Sequence, residues 1–159
     1  MQLGDTIVGV ATGLPAPRAI IRVSGPRSWS LTGATSTRWT DAPIRLPGWP
    51  PIPAARLAFR APRSYTGEDL VEWHLLGGTW IVEAVVAWLL SHAEPVAGPV
   101  RVAERGEFTL RAVLAGKLDL PQAEAVSALI AADHPAGAID GLAALAESMS
   151  TGPTAPVGP

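Results

Sequence analysis

Proline is the residue that most constrains this chain. Sixteen prolines stand among 159 residues, about twice the ordinary share, and most fall between positions 11 and 62 or after position 150. Each one fixes φ and removes an amide donor, so those stretches favour loops and edge strands over helices. Regular helix is therefore expected in the remaining parts. A chain of this length predicts one domain, and 48% hydrophobic residues are enough for a single buried core.

The short apolar runs place the strands. Residues 6–12 and 19–23 are β-branched and apolar, with Gly13, Pro15 and Pro17 between them, which predicts two strands joined by a constrained loop. A short helix is expected near residues 26–31, followed by irregular chain through Trp39 and Trp49 to Ala54. Residues 56–60, 70–74 and 100–103 read as further strands. The expected fold class is α+β, a mixed β-sheet flanked by helices.

Helices occupy the rest. Residues 79–92 carry Trp80, Ile81, Val85, Trp88 and Leu89 at helical spacing, and Ala84, Val86, Ala87 and Leu90 extend the apolar surface around the cylinder. Such a helix needs cover on several sides, from a sheet, from a second layer of the same chain or from a partner subunit. The apolar stretch 75–91 is shorter than the ~20 residues that span a bilayer and contains Gly77, Gly78 and Glu83, so no membrane segment is expected. Farther on, Phe108, Ala112 and Leu114 recur with helical spacing, and Gly116 suits the left-handed turn that ends a helix. Asp119 and Gln122 have capping-box spacing before a helix whose apolar face is Val126, Leu129 and Ile130. A third helix is expected over 138–148, with Ile139, Leu142 and Leu145 on one side, and the Gly- and Pro-rich residues 150–159 are expected to be disordered.

Charge and composition exclude several functions. Twelve basic and fourteen acidic residues give a net charge of -2, with no Lys/Arg block to neutralise a row of phosphates, so autonomous nucleic-acid binding is disfavoured. There is no cysteine, hence no disulfide, zinc-thiolate site or thiol nucleophile. His74, His92 and His134 lack metal-ligand spacing. The N-terminal residues lack a signal-peptide layout, and the expected location is the cytoplasm. A phosphate-binding P-loop needs Gly-x-x-x-x-Gly-Lys followed by Ser or Thr, whereas Gly116-Lys117 precedes Leu118 and position 111 is Arg111. GTP binding by this stretch is therefore not expected.

Three polar residues stand out by position. Arg22 interrupts the apolar run Ile20-Ile21-Arg22-Val23, so it must meet a carboxylate such as Glu68 or Asp69, a ligand or water. Glu72 lies in Leu70-Val71-Glu72-Trp73-His74, where alternation puts Glu72 and His74 on one face and Val71 and Trp73 on the other. On pattern alone it is an ordinary solvent-facing strand glutamate. Lys117 follows a helix end, where its ammonium either complements the helix C-terminus or meets a ligand oxygen. Glu68 and Asp69 read as loop acids that fix Thr66 or the next strand.

Several segments recur in one order across residues 5–130: Asp5-Thr6-Ile7-Val8, Ile20-Ile21-Arg22-Val23-Ser24-Gly25, Ser64-Tyr65-Thr66-Gly67-Glu68-Asp69, Gly77-Gly78, Gly106-Glu107-Phe108-Thr109 and Gly116-Lys117-Leu118-Asp119-Leu120. Together they resemble the N-terminal domain of the MnmE (TrmE) tRNA-modification GTPases. The resemblance implies a fold similar to tetrahydrofolate-binding domains of the aminomethyltransferase type, over residues 1–132. Residues 133–149 would then begin a truncated helical segment, and 150–159 form a tail.

It further implies a domain that binds a tetrahydrofolate, 5-formyl- or 5,10-methylene-tetrahydrofolate, and holds two subunits together as a homodimer. Arg22, Glu72 and Lys117 are the implied cofactor-binding residues. Glu72 would accept adjacent N–H donors from the amino-pyrimidine edge of the pterin. The implied setting is wobble-uridine modification of tRNA, with a separately encoded GTPase or flavoprotein as partner and without activity of the module alone. A one-carbon-transfer enzyme, a folate sensor and a ligand-free remnant are the alternatives. Two segments depart from the family pattern. The first loop reads Ala11-Thr12-Gly13-Leu14-Pro15-Ala16-Pro17-Arg18, where the family has a Gly-Arg-Gly-Gly turn; its prolines remove amide donors, and Arg18 is left to replace the family's loop arginine. In His74-Leu75-Leu76-Gly77-Gly78 one polar group of the family's segment is replaced by an apolar residue.

Overall fold

The computed structural model describes residues 4–92, 98–132 and 134–150. It divides into two compact units, Met1–Glu104 and Arg105–Pro159. The expected tail over 150–159 lies outside the described residues, apart from the backbone of Ser150.

Among the described residues the first unit is built on six strands. These are β1 (Thr6–Val10), β2 (Arg18–Ser24), β3 (Thr40–Asp41), β4 (Ala54–Phe59), β5 (Leu70–Leu76) and β6 (Val100–Val102), with helices α1 (Ser28–Thr32) and α2 (Thr79–Ser91) between them. The sheet order is β3-β4-β5-β2-β1-β6. Only β1 and β6 run parallel; the other pairs are antiparallel. This is the expected α+β fold with a mixed sheet. Arg101 anchors the parallel edge by donating to the buried Asp5 carboxylate at 2.6 Å.

Alternation gives the sheet two different faces. Val8, Ala19, Ile21, Val23, Trp73 and Leu75 form one buried layer with Val82, Val85 and Leu89 of α2. Burying an aliphatic side chain of this size contributes about 1.5–3 kcal/mol. The three α2 residues fall at helical i, i+3 and i+7 positions, so one stripe of the helix meets the sheet. Trp80, expected on that stripe, is instead 81% exposed. Its position, two residues before Val82, turns it away from the buried stripe, and the all-round apolar sequence had concealed which stripe that was.

Close backbone approaches fix the loops at either end of β2. At Gly25 (φ 124°) an added Cβ would sit 2.5 Å from the Asp5 carbonyl oxygen, and at Gly77 it would sit 2.0 Å from that of Ala16. Gly77 therefore lets the β1–β2 loop rest on the start of α2, and its carbonyl accepts the Ala16 amide at 3.3 Å.

The second unit comprises α3 (Glu107–Leu114), α4 (Leu120–Ala131) and α5 (Pro135–Ser150). α3 ends in a Schellman motif: Gly116 (φ 66°) donates to Val113 and Lys117 to Ala112, satisfying carbonyls that the helix leaves open. The capping box is complete, with Gln122 N–H donating to Asp119 Oδ1 at 2.8 Å and the Gln122 side chain accepting from Asp119 N–H at 3.0 Å. α5 begins earlier than expected because Pro135 suits a first helical position and His134 Nδ1 caps the Gly137 amide at 3.0 Å.

The apolar faces read for these helices need correction. α3 buries Glu107, Arg111 and Ala112, the first two as an ion pair at 3.1 Å, while Leu114 is exposed. Ile130, Ile139 and Leu142 are exposed as well. Small residues seat α4 against α5 instead: Ala125, Gly141 and Ser148 are buried, and a Cβ at Gly141 would come within 3.1 Å of the Leu129 backbone. Among the described residues no helix is long and apolar enough to cross a membrane.

Candidate functional site

The sheet face turned away from α2 carries the polar residues. Register places Arg22 of β2 directly opposite Glu72 of β5, with Gly9 on the other side of Arg22 and Leu57 on the other side of Glu72. Arg22 donates twice to a single carboxylate oxygen, from Nε at 2.9 Å and from Nη2 at 2.7 Å, both to Glu72 Oε1. Side-chain exposures of 21% and 14% leave this pair mostly out of water, where such charge-assisted bonds are strong. Two residues expected to act on a ligand thus hold each other. Asp69, one expected partner of Arg22, binds elsewhere and accepts from Arg60 Nη1 at 2.6 Å and from the Ala61 amide at 2.9 Å.

The second oxygen of Glu72 is placed differently. His74 follows on the same face of β5, and its Nε2 lies 3.5 Å from Glu72 Oε2, at the margin of hydrogen-bonding distance. That nitrogen is buried and has no hydrogen-bond partner among the described residues. The Glu72 carboxylate therefore has one oxygen saturated by Arg22 and one with acceptor capacity to spare.

Aromatic rings flank this row. Tyr65 lies over the Arg22 guanidinium, 5.2 Å from the ring centroid, within cation–π range. Trp39 packs on His74 with ring centroids 4.9 Å apart. The turn that presents Tyr65 is held by Ser24, whose hydroxyl bonds Thr66 Oγ1 at 2.7 Å and Glu68 Oε2 at 2.8 Å. Glu68 and Asp69 are thus fasteners of the loop before β5, as their position in the sequence implied.

Lys117 belongs to the second unit. Its amide completes the α3 Schellman motif, and its side chain is exposed at that helix end, so its ammonium is both suited to the helix dipole and open to a ligand. Among the described residues no cluster of His, Asp and Glu could hold a metal ion.

Sequence reasoning missed two members of the site. Trp39 lies in an irregular stretch, and nothing local in the sequence announces that its ring covers His74. Tyr65 lies inside the Ser64–Asp69 segment, and its place by Arg22 depends on the fold of the loop before β5.

A family model described as "GTP-binding protein TrmE N-terminus" matches residues 6–117. The chain belongs to this family. Arg22, Glu72 and Lys117 all fall within the matched residues of the TrmE N-terminal domain. Similar proteins include tRNA modification GTPase MnmE of Caulobacter vibrioides, 43% identical over 139 residues, covering 83% of this chain and 30% of that protein. MnmE of Rhodopseudomonas palustris is 42% identical over 140 residues, covering 83% and 29%. MnmE of a Synechococcus strain is 36% identical over 159 residues, covering 90% and 33%. The chain spans about a third of the length of the curated relatives it matches.

Proposed function

We propose that this TrmE N-terminal domain binds a tetrahydrofolate on the polar face of β2 and β5 and serves tRNA modification as a dimer-forming module. The observation that carries the reading is the divided Glu72 carboxylate: Arg22 fills Oε1 and fixes the side chain, while Oε2 retains acceptor capacity on a face flanked by Tyr65 and Trp39. The chemistry fits the ligand. A pterin presents N–H donors along one edge and flat faces above and below, which a pre-oriented carboxylate and aromatic neighbours can recognise. Lys117, in the second unit, carries an exposed ammonium suited to a carboxylate or carbonyl oxygen. When bound, a 5-formyl- or 5,10-methylene-tetrahydrofolate would bring one-carbon chemistry that no side chain here provides.

The tRNA setting rests on the relatives, which are named as tRNA modification GTPases. In that setting the domain works in the cytoplasm beside a GTPase and a flavoprotein, and the modified base is a wobble uridine. Dimerisation is supported by α2, a mostly apolar helix whose Trp80 stands 81% exposed, an arrangement suited to a self-complementary contact.

Titration calorimetry with 5-formyltetrahydrofolate tests the site. Saturable heat is expected, and Glu72→Gln should weaken binding by roughly 1.5–3 kcal/mol, the scale of a hydrogen bond to a charged group. Binding unchanged in that variant would remove Glu72 from the site, and no heat at all would favour a remnant that has lost its ligand. Light scattering tests the dimer: Trp80→Asp should yield a monomer, and a wild-type chain that is monomeric at every concentration would refute the contact.

A further inference from the structure

Where α1, the β3–β4 connection and the last turn of α2 meet, the first unit has a cavity of about 410 Å³, within the roughly 300–1,000 Å³ range of small-molecule sites. Thr32, Ile44, Arg45, Arg56, Trp73 and Trp88 stand on its wall. The cavity lies on the α2 side of the sheet, at the margin of the buried layer, where Trp73 is the one strand residue of that layer to line it. It shares no residue with the polar row of Arg22, Glu72 and His74.

Register sets the chemistry of this wall. Arg56 of β4 pairs with Thr40 of β3 on one side and with Trp73 of β5 on the other, and directly opposed residues share a face with Cβ atoms about 4.5–5.5 Å apart. Arg56 Nη1 donates to the Thr32 carbonyl at 2.6 Å, which fixes the side chain and leaves the Nε–Nη2 edge, the fork that matches a carboxylate. Among the described residues Arg56 has no ion pair, and no Asp or Glu lines the cavity. Burial lowers the Arg56 pKa from its ordinary value, so an anion beside it would offset a desolvation cost. Trp73 makes a second demand of the same kind. It is 5% exposed, and its indole Nε1, which can only donate, is buried with no hydrogen-bond partner among the described residues.

We propose that this cavity binds a small aromatic carboxylate, whose oxygens accept from Arg56 and Trp73 and whose ring packs on Trp88 and Ile44. The wall favours this class over a free inorganic anion. Trp73 and Trp88 lie with ring centroids 6.4 Å apart at 33°, and Ile44 beside them is 2% exposed, so a planar ring finds apolar and aromatic surface to cover. Inorganic phosphate has no such surface to bury and would give up its hydration for few donors. Arg45, exposed on the rim, adds a positive charge that draws anions in. The site is independent of the folate reading, because it uses none of that site's residues.

The test follows the indole N–H resonances of the ¹⁵N-labelled full chain, with Trp73→Phe identifying that of Trp73. The probes are benzoate, phenylacetate and indole-3-acetate, each against its neutral amide, and inorganic phosphate. At least one acid should shift the Trp73 indole N–H downfield in a saturable way and bind at least about tenfold more tightly than its amide, the scale of one charge-assisted contact. Arg56→Gln should bring that ratio toward one, whereas Arg63→Ala, which removes an exposed positive charge outside the cavity, should leave it unchanged. Should Arg56→Gln fail to fold, the wild-type ratio and the Trp73 shift decide alone. Three acids that leave the Trp73 N–H unmoved, amides that bind as well as their acids, or a ratio that survives Arg56→Gln would overturn the site. Phosphate moving Trp73 as strongly as the acids would overturn the aromatic carboxylate as its ligand.

Discussion

The two faces of the β2–β5 pair are made from alternate residues of the same two strands, and they differ in what holds them. Beneath α2, Ala19, Ile21, Val23, Trp73 and Leu75 are at most 5% exposed and are held by packing. On the opposite face Arg22, Glu72 and His74 are only partly shielded, and pairing rather than packing offsets the cost of removing charge from water. Stability concentrated on one face leaves the other able to keep an underused acceptor. A site directly beneath α2 would require cutting a cavity into the core.

Substitutions can break that contrast. The largest effect is expected from Leu89→Ala, which opens a cavity under the apolar face and should lower stability by about 2–5 kcal/mol in urea unfolding. A loss well under 1 kcal/mol would mean that α2 does not seal the core. Glu72→Ala should cost less, about 1–3 kcal/mol, because it removes the carboxylate oxygen that accepts two hydrogen bonds from Arg22. In a double-mutant cycle with Arg22→Ala, the coupling should exceed about 0.5 kcal/mol; additivity would deny that the pair is formed in solution. Smallest is Tyr65→Leu, which removes a partly exposed cation–π contact worth about 0.5–1 kcal/mol. If Tyr65→Leu destabilised the chain as much as Leu89→Ala, the division of labour between the two faces would be wrong.

Much of this arrangement was legible in the sequence, for local reasons. Period-two alternation put Glu72 and His74 opposite Val71 and Trp73, and β-branched runs located β1 and β2. Asp119 with Gln122, and Gly116 after α3, marked helix ends through backbone chemistry confined to a few residues. What alternation cannot supply is register. Arg22 and Glu72 are fifty residues apart, and only the β2–β5 pairing decides that they meet, so the nearer-looking Asp69 was a natural but mistaken partner. The Trp39–His74 contact depends on an irregular loop and has no periodic signature. Helical spacing likewise shows which residues share a side, but not which side is covered, and for that reason Trp80, Ile130 and Leu142 proved exposed.

The central claim, that the polar face of β2 and β5 is the ligand-binding surface, is tested most directly by following backbone amide resonances of the ¹⁵N-labelled chain during titration with 5-formyltetrahydrofolate. The expected perturbations centre on Ile20–Ser24, Leu70–Leu76 and Tyr65, with smaller ones around Val82, Val85 and Leu89 across the sheet. Saturable shifts confined to other residues, with Arg22, Glu72 and His74 unmoved, would contradict it.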